Sequence, residues 1–264
     1  MTRKSIFLLL MILIFVFQPV ASELTIATVI EPPANFIDEN GEIAGLAVDF
    51  VKEIQKRVND DAVIQVMPGS RLIKMSLSEK NLVIFSLSRT PEREKKYHWV
   101  SLVMRKPLVL FAKKGSNLKI KKLNDAKKVD SIGVMRDSVT HDFLTQNGFK
   151  NIEAANDHES NIRKLMKGRI SLMYMSMQGA AKLCRDLDID FNELEPLLMP
   201  QISQSSIAIS RNTDIKIVRE WQKAAKEIKK DGTFLKMAQK WLEYTEDVSG
   251  IESHIKDGAL NFWK

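Results

Sequence analysis

FSLSRTPEREKKYHWV (residues 85–100) changes character twice. It finishes an apolar strand that begins at Leu82, sets Arg89 and Arg93 on either side of a proline, and returns to aromatics at Tyr97 and Trp99. A surface loop would solvate both arginines. A binding loop would turn one of them inward to hold something negative. The segments on either side decide between these readings.

Upstream, Leu24 to Val29 alternates as a strand, and Glu31-Pro32-Pro33 stops it, because proline cannot continue a central ladder. Asn40-Gly41 is a turn signal. Leu46, Phe50, Val51, Ile54 and Val58 recur at helical spacing, with Lys56 and Arg57 in the last turn. Ala62 to Met67 reads as a strand, Arg71 to Leu77 as a helix, and Leu82 to Leu87 as a third strand. Strands alternating with helices imply a parallel sheet covered on both faces.

Downstream, Pro107 to Lys113 is another apolar strand, after which a second alternation starts. Ser131–Met135 is a strand, and Ser138 or Thr140 caps a helix that ends at Gly148. Asn151 to Ala154 is extended, a helix carrying Ile162, Leu165 and Met166 stops at Gly168, and Ile170 to Met175 is a strand followed by a short helix through Leu183. Leu197–Met199 and Ser206–Ser210 are two extended pieces. Ile215, Val218, Trp221, Ala225 and Ile228 share a helix face. Asp231-Gly232 breaks that helix, and Thr233 caps the next. Residues 245–264 show no clear pattern beyond an apolar Leu260-Asn261-Phe262-Trp263 end. Two α/β units, each too small for one large sheet, predict two lobes with a cleft between them.

The N-terminus reads as a secretory signal peptide over residues 1–22. Arg3 and Lys4 precede an apolar run from Ile6 to Phe17, and Val20-Ala21-Ser22 offers a cleavage point. That run is shorter than the about 20 apolar residues that span a bilayer. The mature chain is expected to be exported, soluble and periplasmic, and to lose Arg3 and Lys4 from a formal charge of +7. The remaining positive excess is spread along the chain, which argues against a nucleic-acid partner. Cys184 is the single cysteine, so no intramolecular disulfide forms. His98, His141, His158 and His254 lack metal-ligand spacing, and no metal or cofactor is expected. There is no internal repeat or low-complexity tract.

Four stretches in order carry a resemblance. IEPPANFIDENGEIAGLAVDFVKEI (30–54) offers a strand end, a proline elbow, an Asn-Gly turn and a G-x-x-x-D helix start. SRTPERE (88–94) has Thr-x-x-Arg, IGVMRDSVTHDFL (132–144) resembles the opening of a second lobe, and KKDGTFLKMAQKWL (229–242) contains Asp-Gly-Thr between two helices. Over about residues 24–243 the chain resembles the bacterial extracellular solute-binding proteins of family 3, the amino-acid-binding type. The resemblance implies a type II periplasmic-binding-protein fold, α/β, with two lobes joined by two crossover strands that act as a hinge. Lobe one would comprise 23–108 plus 206–264, and lobe two 109–205.

The resemblance also implies a site. Arg93, the arginine of Thr-x-x-Arg, would pair with a solute carboxylate, for which a planar guanidinium is suited, or else only with Glu31 or another acid across the loop. Ser88 and Thr90 flank it, and Arg89 would sit at the rim. Ser138 and Thr140 would complete the carboxylate site at a helix start, although both could serve only as caps. Asp137 departs from the small residue that relatives often carry there. Ser176 falls where amino-acid binders carry an aspartate for the ammonium group. Either the solute is not bound as a plain α-amino acid, or Glu31 supplies the negative charge. Met173 and Met175 are expected in the packing of their sheet, with Tyr174 pointing the other way. Phe36 and Trp99 are candidates for an apolar wall or for the core.

The function implied is binding of a small polar, carboxylated, amino-acid-like solute by hinge closure, as a monomer, for delivery to an ABC importer through an inner-membrane permease. Two alternatives remain at this level. One is a dehydratase of cyclic acids on the same fold, with Glu31 as its acid. The other is a sensing protein that reports to a membrane receptor.

Overall fold

The computed structural model describes residues 24–249 and 252–261. The signal-peptide reading of residues 1–22 therefore lies outside the described residues.

The first half opens with β1 (Thr25–Thr28), the short pair β2 (Phe36–Ile37) and β3 (Ile43–Ala44), α1 (Leu46–Val58), β4 (Ile64–Val66), α2 (Gly69–Ser78) and β5 (Leu82–Ser88). β1 lies between β4 and β5 and is parallel to both. The G-x-x-x-D start of α1 has a packing reason. A Cβ on Gly45 would lie 2.2 Å from the Ala34 carbonyl oxygen, so the chain passes the proline elbow only as glycine. Asp49 accepts a hydrogen bond from the Trp241 indole at 2.8 Å, tying α1 to the end of the chain.

β6 (Tyr97–Lys113) then runs 17 residues without interruption. It leads to β7 (Ile132–Met135), α3 (Val139–Gln146), β8 (Ile152–Ala155), α4 (His158–Met166), β9 (Leu172–Ser176) and α5 (Met177–Asp186). β10 (Leu194–Ser210), again 17 residues, runs back antiparallel to β6. The chain continues through α6 (Ile215–Lys230), α7 (Thr233–Ser249), β11 (His254–Lys256) and β12 (Ala259–Asn261). The main sheet has the order β4-β1-β5-β10-β6-β9-β7-β8.

β6 and β10 are the two crossover strands. At about 3.3 Å per residue each reaches roughly 55 Å, enough to serve two cores. At one end, Ile26, Phe50, Phe85, Ile207, Trp221 and Phe234 share a core, with Leu72, Ile84 and Tyr97 on the opposite sheet face. At the other, Ile132, Leu144, Leu172 and Tyr174 fill one face, while Phe111, Ile162, Met173, Met175 and Cys184 fill the other. β9, parallel to β7 and antiparallel to β6, is buried along its whole length, as a strand covered on both faces must be. The protein is thus a two-lobed α/β structure of the periplasmic-binding-protein type.

Four local expectations change. The strand expected from Pro107 starts ten residues earlier, at Tyr97, and the two extended pieces near 197 and 206 are one strand. Pro107 is tolerated because it falls between Met104–Arg105, which pair with β12, and Leu108–Phe111, which pair with β9. Pro196 and Pro200 coincide with register shifts of β10, where bulges bend the strand. Thr233 is the first helical residue rather than the cap, and its N–H donates to the Asp231 carboxylate at 2.9 Å. The tail does have a pattern: α7 continues to Ser249, and β12 docks parallel on β6 through Leu260–Met104 and Asn261–Arg105.

Candidate functional site

Parallel strands present their carboxyl ends to a common crevice. Here the ends of β1, β5, β7 and β9 converge on a cleft between the lobes. Glu31 follows β1, Ser86 and Ser88 end β5, and Arg93 lies in the turn after it. Ser138 and Thr140 follow β7, His158 opens α4, and Ser176 ends β9. Lys106 enters from β6.

Arg93 is held by the turn that its Thr-Pro-Glu-Arg sequence builds, with its N–H donating to the Thr90 carbonyl at 3.0 Å. Its side chain is 11% exposed and spans the cleft. Nη2 donates to Asp142 Oδ2 of lobe two at 2.8 Å and reaches the Asp137 carbonyl at 3.5 Å, while Nη1 reaches the Ser88 carbonyl at 3.5 Å. Arg89 stays at the rim, bonded to Glu94 and stacked over Trp99. Thr90 lines the outer mouth rather than the inner cleft. The Ser88 hydroxyl faces Ser203 Oγ at 2.8 Å.

Ser138 is the N-cap of α3 and accepts the His141 N–H at 3.2 Å; its hydroxyl also lies 2.8 Å from that of Thr140. Ser176 caps α5 by accepting the Gly179 N–H at 3.3 Å. Gly179 is forced by crowding, since a Cβ there would sit 2.6 Å from Ser176 Oγ and 3.3 Å from the Pro32 carbonyl oxygen of lobe one.

Glu31 is not an open negative charge. Its Oε1 lies 2.5 Å from Lys106 Nζ, with the two side chains 13% and 5% exposed. Burial pushes the Glu31 carboxyl up. The Lys106 ammonium and the His158 ring, with hydrogen bonds from Lys106 and Ser176, outweigh burial and hold it below its ordinary value. Burial moves the His158 imidazole down, Lys106 acts in the same sense, and Glu31 and Asp157 oppose them without prevailing. Its pairing with Lys106 makes Glu31 a poor proton donor for the dehydratase alternative.

The cleft therefore brings together Arg93, Ser88, Glu31, Ser138, Thr140 and Ser176, and leaves Thr90 at its outer edge. Phe36 stacks with Trp241 and Tyr244, and Trp99 packs on Tyr97, so neither lines it. Met175 fills the sheet packing and also reaches the cleft wall. Lys106, His158 and Asp142 were not foreseen. A lysine next to Pro107 inside an apolar strand was the available signal for the first. Among the described residues no group of acidic, His and Cys side chains could hold a metal ion, and no helix is long and apolar enough to cross a membrane.

The geometry defines a two-lobed solute-binding protein with a cationic group in its cleft. The chain belongs to the bacterial extracellular solute-binding proteins, family 3, whose model matches residues 24–244. It is 24% identical over 216 residues to the arginine-binding periplasmic protein of Mannheimia haemolytica, covering 80% of this chain and 87% of that one. It is 23% identical over 213 residues to the L-cystine-binding protein TcyJ of Escherichia coli K12, covering 80% and 78%. A solved histidine kinase sensor domain with similarity to periplasmic binding proteins superposes with a TM-score of 0.75 at 18% identity, over 84% of this chain and 97% of that one. The relatives are binding proteins, and this chain binds a small solute rather than transforming one.

Proposed function

We propose that the mature chain, released after Ser22, works in the periplasm as a monomer. It closes on a small, polar, carboxylated solute and delivers it to an ABC importer through an inner-membrane permease. The observation that carries this is Arg93, anchored in lobe one yet 2.8 Å from an acid of lobe two. A guanidinium in that position draws the lobes together around any carboxylate that meets it. Ser88, Ser138 and Thr140 supply further hydroxyls, and Ser176 caps the floor. The lobes, 23–108 plus 206–264 and 109–205, turn about the crossover of β6 and β10.

Reporting to a membrane receptor would use the same closed form. Uptake of labelled solute by cells lacking the gene separates the two roles: lost uptake marks delivery, and intact uptake marks sensing.

The binding itself is tested by a melting-temperature screen of residues 23–264 against carboxylic acids, amino acids and amines. A ligand of the folded state at 100 times its dissociation constant adds about 2.7 kcal/mol of stability. A carboxylate hit that disappears in Arg93→Ala supports the reading. A hit that survives Arg93→Ala, or an amine hit alone, contradicts it.

A further inference from the structure

A carboxylate holds a ligand ammonium most strongly when no other cation stands upon it. Glu31 and Asp137 are the carboxylates that line this one among the described residues. The Glu31 side chain is 13% exposed, and Lys106 already stands against it at 2.5 Å, whereas no cation is paired with the Asp137 carboxylate among the described ion pairs. Ser176 bonds to the same carboxylate from lobe two, and His158 adds a third neighbour. Lys106 arrives on the crossover strand, so the pair belongs to the hinge and does not wait for closure. A solute ammonium placed on Glu31 would lie beside the Lys106 ammonium with little water to screen them.

The rest of the cleft points the same way. Leu72, Ile84, Leu108 and Met175 give it an apolar wall. His158 is buried, and its Nδ1 has no hydrogen-bond partner among the described residues. An imidazole nitrogen gives or accepts a hydrogen bond according to its tautomer, so a solute hydroxyl or carbonyl group could satisfy it.

We propose that the solute is a monocarboxylic acid without an ammonium group, its body apolar or bearing a hydroxyl or keto oxygen, and that Lys106 sets this choice by occupying the cation position beside Glu31. The proposal deepens the carboxylate reading above and rests on it. Lys106 acts as a built-in substitute for the ammonium that an amino acid would bring.

The test is calorimetric titration of the full mature chain with matched acids: leucine against 4-methylpentanoate and 2-oxo-4-methylpentanoate, and phenylalanine against 3-phenylpropanoate and 3-phenyllactate. At least one acid lacking the ammonium should bind at least tenfold tighter than its amino-acid counterpart. Lys106→Met uncovers Glu31 and should shift that ratio at least tenfold toward the amino acid. Glu31→Gln/Lys106→Met, which removes both charges, should lose that shift. Should Lys106→Met fail to fold, the wild-type pairs decide alone. An amino acid that binds as tightly as its partner, with binding lost in Arg93→Ala, overturns this proposal and leaves the carboxylate reading standing. If that amino-acid binding is also lost in Asp137→Asn, Asp137 is the ammonium site. No binding by either member of any pair overturns both.

Discussion

An arginine guanidinium carries five N–H donors in one plane, and Arg93 directs them at two lobes at once. Asp142, 46% exposed at the mouth, takes one of them and so competes with a solute carboxylate for the same group. A pair this exposed on one side is worth about 0.2–1 kcal/mol. Asp142→Asn should therefore tighten carboxylate binding by up to about fivefold in a calorimetric titration, whereas weaker binding would make Asp142 an orienting partner of Arg93. His158 gives a second prediction at this scale. Its folded pKa is depressed, so the unfolded chain binds the additional proton as pH falls below the ordinary value of 6.5. The sign follows: stability is full above pH 6.5 and declines on acidification toward the folded pKa. His158→Asn should flatten that part of the melting-temperature profile, and an unchanged slope would place the titration elsewhere. The place of Arg93 at the cleft was legible because its Thr-x-x-Arg stretch resembles a family motif. Lys106 was not, because its partner lies 75 residues away and no periodicity reports a contact of that range.

Most helices and strands were legible because each buries one stripe or face, and apolar spacing records that burial. Prolines hid the crossover strands. Pro107, Pro196 and Pro200 read as breakers, yet they sit where β6 passes from one neighbour to the next and where β10 is bulged. The terminal hairpin was hidden for another reason. Strands of 3 residues have little pattern of their own, and β12 is held by the edge of β6. Ala259 and Leu260 are 0% and 1% exposed. Burial of a leucine contributes about 1.5–3 kcal/mol. In a domain of this size each kcal/mol moves the melting temperature by about 2–4 °C. A chain ending at Ser249 should melt roughly 3–12 °C lower by circular dichroism while keeping its far-ultraviolet spectrum. An unchanged melting temperature would mean that the hairpin does not stay docked on β6.

At the scale of the molecule, two cores share two strands, and the groups lining the cleft come from both lobes. Lobe one provides Glu31, Ser88 and Arg93, lobe two provides Ser138, Thr140, His158 and Ser176, and the crossover provides Lys106. Neither lobe alone supplies all of these groups, which fits the closure proposed above. The lobe count was legible from two successive α/β alternations. The charge balance of the cleft was not, since it depends on which side chains meet across the hinge. The account turns on Arg93, and titration of the best-binding carboxylic acid into the wild-type chain and into Arg93→Ala tests it most directly. Charge-assisted hydrogen bonds contribute about 1.5–3 kcal/mol each, so the variant should bind at least about tenfold more weakly. Equal affinity in the two proteins would show that the carboxylate is held elsewhere and would contradict the account.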